Sequence, residues 1–157
     1  MVGKSLVISS ADPLIPEFRL LETTRAYALD RLRESGALSE VARRHADFFL
    51  AVLGRVDETR EARSADEYLP AFRRYANEIH VALEWAFSPE GDAAIGLALT
   101  IAAVPLWFAL FQMMVARIRL EQALRYAERG SDDEMRLRIA MGHALWYTHM
   151  GLEIGAA

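Results

Sequence analysis

The side chains best suited to metal binding or proton transfer are the four histidines, His45, His80, His143 and His149. Their positions favour neither function. His45 lies on the apolar stripe of a predicted helix, which is typical of a hydrogen-bonded histidine in or beside a core. His143 and His149 do not share one helical face. Because no pair of histidines has metal-ligand spacing, we predict no metal site.

Carboxylates and glycines form no catalytic motif either. The pairs Asp57-Glu58 and Asp132-Asp133 lie in loops or at helix starts, where carboxylates stabilise the helix dipole. The segment Val2-Gly3-Lys4-Ser5 imitates the end of a phosphate-binding loop but lacks the earlier glycine and the preceding strand. A Gly-x-Ser-x-Gly nucleophile turn is absent from the sequence. We therefore predict no catalytic residue and expect that the chain is not an enzyme.

Composition narrows the class of protein further. The absence of cysteine excludes a disulfide framework, a thiolate metal site and a cysteine nucleophile. The net charge of -4 argues against a stand-alone nucleic-acid binder, which usually carries a basic face. Residues 1–10 contain too short an apolar stretch for a secretory signal. We expect a cytoplasmic protein large enough to bury a core of its own.

The elements that must position any site begin with a predicted β-hairpin. Residues 5–9 and 17–20 are β-compatible runs on either side of the turn-rich residues 11–16. From Thr23 onward the apolar period becomes helical, with Ala26, Leu29 and Leu32 on one face, and Gly36 supplies a stop signal.

Five further helices are predicted, at about residues 39–56, 64–87, 92–111, 115–129 and 132–150, with another beginning at Leu152. Ser64 and Glu67 form a capping box, and Pro70 marks either a kink or the true start of that helix. The stripe of the 39–56 helix comprises Val41, His45, Phe48, Phe49, Val52, Leu53 and Val56. The stripe of the 64–87 helix comprises Leu69, Phe72, Ala76, Ile79, Leu83 and Ala86.

Two similar breaks, at Gly91 and Gly130, lie about 40 residues apart, which suits paired-helix repeats. Between them, Trp107 precedes a set of small and apolar residues, Ala116, Leu120 and Ala123, as in tetratricopeptide units. Val104 departs from that pattern, which expects glycine or alanine. The predicted fold class is all-α: a tetratricopeptide-like antiparallel helical repeat array of about six helices, preceded by a short β-hairpin.

An uncharged run, residues 93–116, exceeds the roughly 20 residues that cross a bilayer. The alternative function is therefore a membrane-anchored structural protein that uses this run as a single span. Pro105, Gln112 and the many alanines argue against it, as does the amphipathic helix that follows. A buried leading helix followed by a turn would give the same pattern.

A few aromatic residues are candidates for a partner-binding surface. Most aromatic side chains fall on core stripes by their spacing. Phe108, Phe111, Trp146 and Tyr147 are the ones whose helical faces the stripes leave unassigned. Exposed aromatics usually carry much of the binding energy of an interface.

Four segments resemble bacterial STAND-type ATPase transcriptional regulators: Lys4-Ser5-Leu6-Val7, residues 18–29, Arg43-Arg44-His45-Ala46 and residues 82–87. The resemblance implies a winged-helix remnant at 1–36, with residues 4–20 as the wing and 22–36 as the closing helix. It implies a tetratricopeptide-like segment at 37–157, truncated at its C-terminus. ATP or ADP with Mg²⁺ is then expected only in an upstream NTPase core, and this segment is expected to make no direct nucleic-acid contact.

One nucleotide-sensor-like edge follows from the same resemblance. Arg19-Leu20-Leu21-Glu22 is similar to the Met-His-Asp motif of related switch ATPases, whose histidine approaches the β-phosphate. Leu21 replaces that histidine and cannot donate its hydrogen bond, whereas Glu22 keeps the acidic position.

The resulting functional prediction is a non-catalytic regulatory segment that senses a protein or small-molecule effector through its helical repeats and contacts the NTPase core. We expect no membrane contact. The last helix carries apolar residues on several faces, with Leu137, Met141, Ala144, Leu145 and Thr148 on one stripe and Ile139, Trp146 and Met150 on others. Because this leaves one apolar face uncovered, we expect the chain to self-associate.

Overall fold

The computed structural model describes residues 7–9, 18–62, 73 and 75–154, which are mostly helical. The elements are β1 (Val7–Ser9), β2 (Phe18–Leu20), α1 (Glu22–Glu34), α2 (Leu38–Ala62), α3 (Ala76–Ala86), α4 (Ala93–Ala109), α5 (Met113–Leu124) and α6 (Asp132–Ile154). For the described residues, the predicted helical fold class with about six helices is confirmed. The chain divides into two compact units, Met1–Val41 and Ala42–Ala157.

The first unit contains both strands. β1 and β2 pair antiparallel, with Val7 opposite Leu20 and Ser9 opposite Phe18. The turn that the sequence predicts between them, at residues 11–16, lies outside the described residues. A two-stranded ladder of this length is marginal in water on its own.

The end of α1 is a Schellman motif. The Gly36 N–H donates to the Arg33 carbonyl and the Ala37 N–H donates to the Leu32 carbonyl, each at 3.1 Å. Gly36 has a φ of 70°, the left-handed conformation that glycine adopts without steric cost. The predicted helix stop at Gly36 is therefore confirmed.

No residue of α1 is buried. Leu29 and Leu32, on its predicted apolar face, are only partly covered, and Ala26 is exposed. Exposed ion pairs on this helix, such as Arg31 with Glu34 at 2.6 Å, add little stability. Since a 13-residue helix is marginal in isolation, α1 requires packing beyond what the described residues of its unit provide.

The core of the second unit takes one face from each of its helices. The predicted stripes are confirmed at Phe49 and Leu53 of α2 and at Ile79 and Leu83 of α3. Phe48 is a correction: its ring is 57% exposed, because it lies more than about 100° around the helix from the centre of the buried face. The completely or almost completely buried apolar residues are Ala46, Phe49, Leu53, Ile79, Ala82, Leu83, Ala86, Leu99, Ala103, Leu106, Trp107, Ala116, Leu120, Ala123, Leu137 and Ala144.

Three predicted helix ends are wrong. α2 continues to Ala62 through a polar stretch that has no glycine or proline to stop it. α5 ends at Leu124, short of residue 129, and a turn follows. α6 continues past Gly151 to Ile154, so no new helix begins at Leu152. The predicted capping box at Ser64 and the alternatives at Pro70 lie outside the described residues.

The two glycine-containing breaks are confirmed, and each is followed by a side-chain cap. Asp92 accepts hydrogen bonds from the Ala94 N–H at 3.0 Å and the Ile95 N–H at 3.4 Å, which caps α4. Ser131 accepts from the Glu134 N–H at 3.1 Å and caps α6. Matching caps before α4 and α6 show that the same signal starts both helices.

The uncharged run is explained by two apolar stripes on α4. One stripe, from Ile95 to Trp107, is buried in the core. A second stripe, made of Leu97, Ile101, Val104 and Phe108, is only partly covered. A turn after Ala109 separates α4 from α5, and no described helix is long and apolar enough to cross a membrane. The structure therefore gives no support to residues 93–116 as a membrane span.

Two contacts between the regions of α3 and α5 join residues that are 39 positions apart. Arg119 on α5 donates to His80 Nδ1 on α3 at 3.1 Å, a separation of 39 residues. The hydroxyl of Tyr126 donates to the Phe87 carbonyl at 3.3 Å, also 39 residues away. The same offset thus occurs between α3 and α5 and again between residues just beyond their ends.

Candidate partner-binding groove

A groove lies where α4 and α6 meet, and we call it the α4–α6 groove. Its pocket has a volume of about 170 Å³ and is lined by Ile101, Val104, Pro105, Arg136, Leu137 and Ala140. Ile101 and Val104 come from the partly covered stripe of α4, and Pro105 lies beside that stripe, so the groove follows the less buried side of this helix. Apart from one guanidinium, its side chains are aliphatic.

Aromatic residues extend this surface towards the C-terminal end of α4. The Phe108 ring lies 6.3 Å from the Tyr147 ring and 6.4 Å from the His143 ring, measured between centroids. Phe108 is partly covered, whereas Tyr147 is 54% exposed. Two of the four aromatics proposed from the sequence are therefore brought together beside the groove.

Pro105 removes one backbone hydrogen bond from α4. Proline has no N–H, so the carbonyl of Ile101 lacks the donor that residue 105 would supply in a regular helix. Both residues line the pocket. A ligand that carries an N–H can bond to this carbonyl without breaking a helical hydrogen bond.

Arg136 is the cationic group of the groove. It is exposed, and within the described part of the chain it takes part in no ion pair. α4, which forms the opposite wall, contains no charged residue. The groove therefore combines apolar walls with one guanidinium that is available to an anion.

Phe111 is placed unusually, on the turn after α4. Its φ is 56°, in the left-handed region that bulky residues rarely adopt. The Phe111 N–H donates to the Phe108 carbonyl at 3.1 Å and the Gln112 N–H donates to the Trp107 carbonyl at 2.8 Å, so Phe111 occupies the usual glycine position of a Schellman motif. Its side chain is 87% exposed. The ring therefore adds little to the packing of this unit.

Trp146 belongs to a different surface. It is 64% exposed and shares an outer face of α6 with Met135 and Ile139, each 55% exposed. A shallow open cavity of about 510 Å³ lies at the start of this face. Among the described side chains, no ring contact joins Trp146 to the Phe108–Tyr147 pair.

The nucleotide-sensor-like edge lies in the first unit. Arg19 pairs with Ile8 in the strand ladder, and Leu21 is the residue before α1. The Leu21 carbonyl accepts from the Arg25 N–H at 2.8 Å, and the exposed Glu22 lies 3.7 Å from Arg25. These are ordinary helix-start contacts, and the role of this edge stays a prediction.

The histidines make structural contacts. His45 Nε2 lies 3.1 Å from Glu78 Oε2 at the edge of the core, which confirms its interpretation as a hydrogen-bonded boundary histidine. His80 accepts from Arg119, whose side chain also reaches Glu84 at 3.4 Å. Burial lowers the pKa of His80, and the charge of Arg119 lowers it further, against the opposite effect of Glu84. Among the described residues, no group of three possible ligands could hold a metal ion.

Sequence reasoning missed most of the groove. Ile101 and Arg136 were not singled out, because the sequence alone does not show which faces of α4 and α6 meet. A signal was nevertheless present: Arg136, Ala140, His143 and Tyr147 recur at three- and four-residue spacing along α6. The second apolar stripe of α4 has the same periodicity.

The comparisons with known proteins give a distant similarity. The chain is 28% identical over 147 residues to proteins named "Putative HTH-type transcriptional regulator" from Mycobacterium bovis and from two strains of Mycobacterium tuberculosis. The alignment covers 92% of this chain but 15% of each relative, so the chain spans about 15% of the length of the curated relatives it matches. No protein-family model and no solved structure matches it. The chain is thus similar to one part of a transcriptional regulator.

Proposed function

We propose that this chain is a non-catalytic regulatory segment of a STAND-type ATPase transcriptional regulator, in which a tetratricopeptide-like helical array binds an effector. The similarity to HTH-type regulators supports a regulatory role. The small share of each relative that is matched supports a segment of a much larger protein. The DNA-reading element and the NTPase core would then belong to other parts of that protein.

The observation that carries the proposal is an offset of 39 residues that recurs in three contacts of the second unit. His80 contacts Arg119 between α3 and α5, and Phe108 contacts Tyr147 between α4 and α6. Phe87 contacts Tyr126 just beyond the ends of α3 and α5, and each of the three pairs is 39 residues apart. In stacked paired-helix repeats, equivalent residues of successive units contact each other at one repeat length. Such arrays present extended surfaces suited to binding partners.

The first unit supports the same proposal. α1 has no buried residue although it carries Leu29 and Leu32 on one face. A helix with an uncovered apolar face is expected when its packing partner belongs to another part of the protein. A winged-helix domain, with residues 4–20 as its wing and α1 as its closing helix, would supply that partner.

Nucleotide binding tests the proposal. If the NTPase core lies elsewhere in the protein, this chain binds neither ATP nor ADP, because the residue at the sensor position is Leu21 and the chain lacks a phosphate-binding loop. Titration calorimetry with both nucleotides and Mg²⁺ measures this directly. Micromolar affinity for either nucleotide would contradict the proposal.

A matched experiment uses the longer reading frame. We expect the sequence upstream of this chain to encode a Gly-x-x-x-x-Gly-Lys-Ser/Thr loop, and the longer product to bind ATP where the present chain does not. A frame that starts at this chain, or one without such a loop, would exclude the STAND assignment.

A further inference from the structure

We infer that the α4–α6 groove binds an acidic peptide segment, which places one apolar side chain in the pocket and one carboxylate on Arg136. The inference rests on the proposed role of the helical array as an interaction module. It adds the chemical class of the partner and the place where it docks.

The size of the pocket favours a peptide over a free small molecule. Sites for small molecules usually have volumes of about 300–1,000 Å³. The α4–α6 pocket has about 170 Å³, enough for one side chain of leucine or phenylalanine size. Its occupant is therefore one residue of a chain whose remainder lies along the groove.

Charge selects an acidic segment. Arg136 stands at the pocket without an ion-pair partner in the described part of the chain, and the facing helix α4 has no charged residue. A guanidinium binds a carboxylate with two parallel hydrogen bonds, and an apolar surrounding strengthens them. A basic segment would be repelled at the same position, so Arg136 also provides specificity.

Polar and aromatic atoms extend the site beyond the pocket. The Ile101 carbonyl, left without its helical donor by Pro105, can accept a backbone N–H from the bound segment. Phe108 and Tyr147, with ring centroids 6.3 Å apart, offer a surface for a second apolar side chain. Backbone recognition and two apolar contacts fit a segment of several residues.

A random nonapeptide display library, selected on the whole chain, tests the inference. We expect the enriched peptides to share an Asp or Glu next to an apolar residue. A consensus peptide, synthesised with a fluorescent label, should bind Arg136→Glu at least about tenfold more weakly than the unsubstituted chain in an anisotropy titration. Selection on Arg136→Glu should enrich Lys or Arg in place of the acid.

Arg125→Glu is the matched control, because it makes the same charge change at an exposed arginine outside the groove, at the C-cap of α5. We expect it to leave the affinity of the consensus peptide within about twofold. Thermal melting of both variants checks that each is folded. Equal weakening by the two substitutions would show a general charge effect and overturn the groove assignment.

Two other outcomes also overturn the inference. One is an enriched consensus without an acidic residue. The other is acidic peptides whose binding is abolished by Trp146→Ala but unaffected by Arg136→Glu, which would move the site to the outer face of α6. In both cases the proposed function stands, because its own test is the absence of nucleotide binding from this chain.

Discussion

Phe111 shows how one residue can be retained against its own backbone preference. A non-glycine residue in the left-handed conformation costs about 1–2 kcal/mol. The ring of Phe111 is 87% exposed, so its packing within the chain offsets little of that cost. Strained residues that the surrounding structure does not need are often functional. Phe111 is therefore a further candidate contact for a partner, near Phe108, which lies beside the groove.

We expect Phe111→Gly to raise the free energy of unfolding by about 0.5–1 kcal/mol, because glycine removes the strain at this helix end and little packing is lost. Chemical denaturation measures the change. Phe111→Ala is the control, since it removes the ring but keeps the strain, and it should be less stable than Phe111→Gly. A glycine variant less stable than the alanine variant would show that strain is unimportant at this turn.

The contact of His80 with Arg119 makes part of the stability pH-dependent. His80 can accept this hydrogen bond only when neutral, and burial and the neighbouring cation keep its pKa below the usual value. In the unfolded chain the histidine pKa is about 6.5, so the unfolded chain binds a proton at His80 more readily than the folded chain does. The contribution of neutral His80 to stability is therefore present above pH about 6.5 and is lost as the pH falls towards the folded-state pKa of His80.

We expect His80→Gln to reduce this acid sensitivity, because the glutamine carbonyl can accept from Arg119 and does not titrate. Urea unfolding at pH 8 and at pH 5 measures the free energy of unfolding at each pH. The difference between these two free energies should be smaller for the variant than for the unsubstituted chain. The remaining titratable groups are common to both proteins, so they cancel. An unchanged difference would rule out His80 as the source.

Among the helices, the tight connection from α3 to α4 depends on Gly91. A Cβ atom at Gly91 would lie 1.9 Å from the Trp85 carbonyl oxygen and 2.6 Å from that of Ala86. Both are backbone atoms at the end of a helix, so they cannot move aside without shifting α3. The close approach of Gly91 to the end of α3 therefore requires a residue without a Cβ atom.

We expect Gly91→Ala to lower the free energy of unfolding by about 2–3 kcal/mol through this steric conflict. Gly142 provides the opposite case: it lies within α6, and a Cβ atom added there would meet nothing within 4 Å. Gly142→Ala should therefore stabilise the chain by about 0.5–1 kcal/mol through helix propensity. Thermal unfolding of the two variants tests the contrast, and a neutral Gly91→Ala would show that the break can relax.

The sequence predicts these elements best where a residue has a single local effect. Gly36, Gly91 and Asp92 fix helix ends through backbone conformation or capping, so the breaks appear in the sequence. The end of α2 was missed because residues 57–62 are polar but still favour a helix. The α4–α6 groove was missed because it joins residues far apart in the chain, and only the fold shows which faces of the two helices meet.

At the scale of the whole molecule, α6 gives the second unit both a buried face and an exposed apolar face. One face is buried at Leu137 and Ala144, as predicted from the sequence. Leu145, predicted on the same stripe, is 46% exposed because it is about 80° further around the helix. The outer face, with Met135, Ile139 and Trp146, remains apolar and exposed. Exposed apolar faces of this kind usually mark an interface.

Self-association follows from that outer face if nothing else covers it. Burying roughly 300–500 Å² of apolar surface is worth about 7–12 kcal/mol before the entropic cost of association. We therefore expect dimers or larger species at micromolar concentration. We expect Ile139→Glu to shift them to monomer with little change in melting temperature, because Ile139 is 55% exposed.

Val81→Glu, at an exposed position of α3, is the matched control and should leave association unchanged. Sedimentation velocity decides the matter: a strictly monomeric unsubstituted chain at micromolar concentration would show that this face of α6 does not bind a second copy.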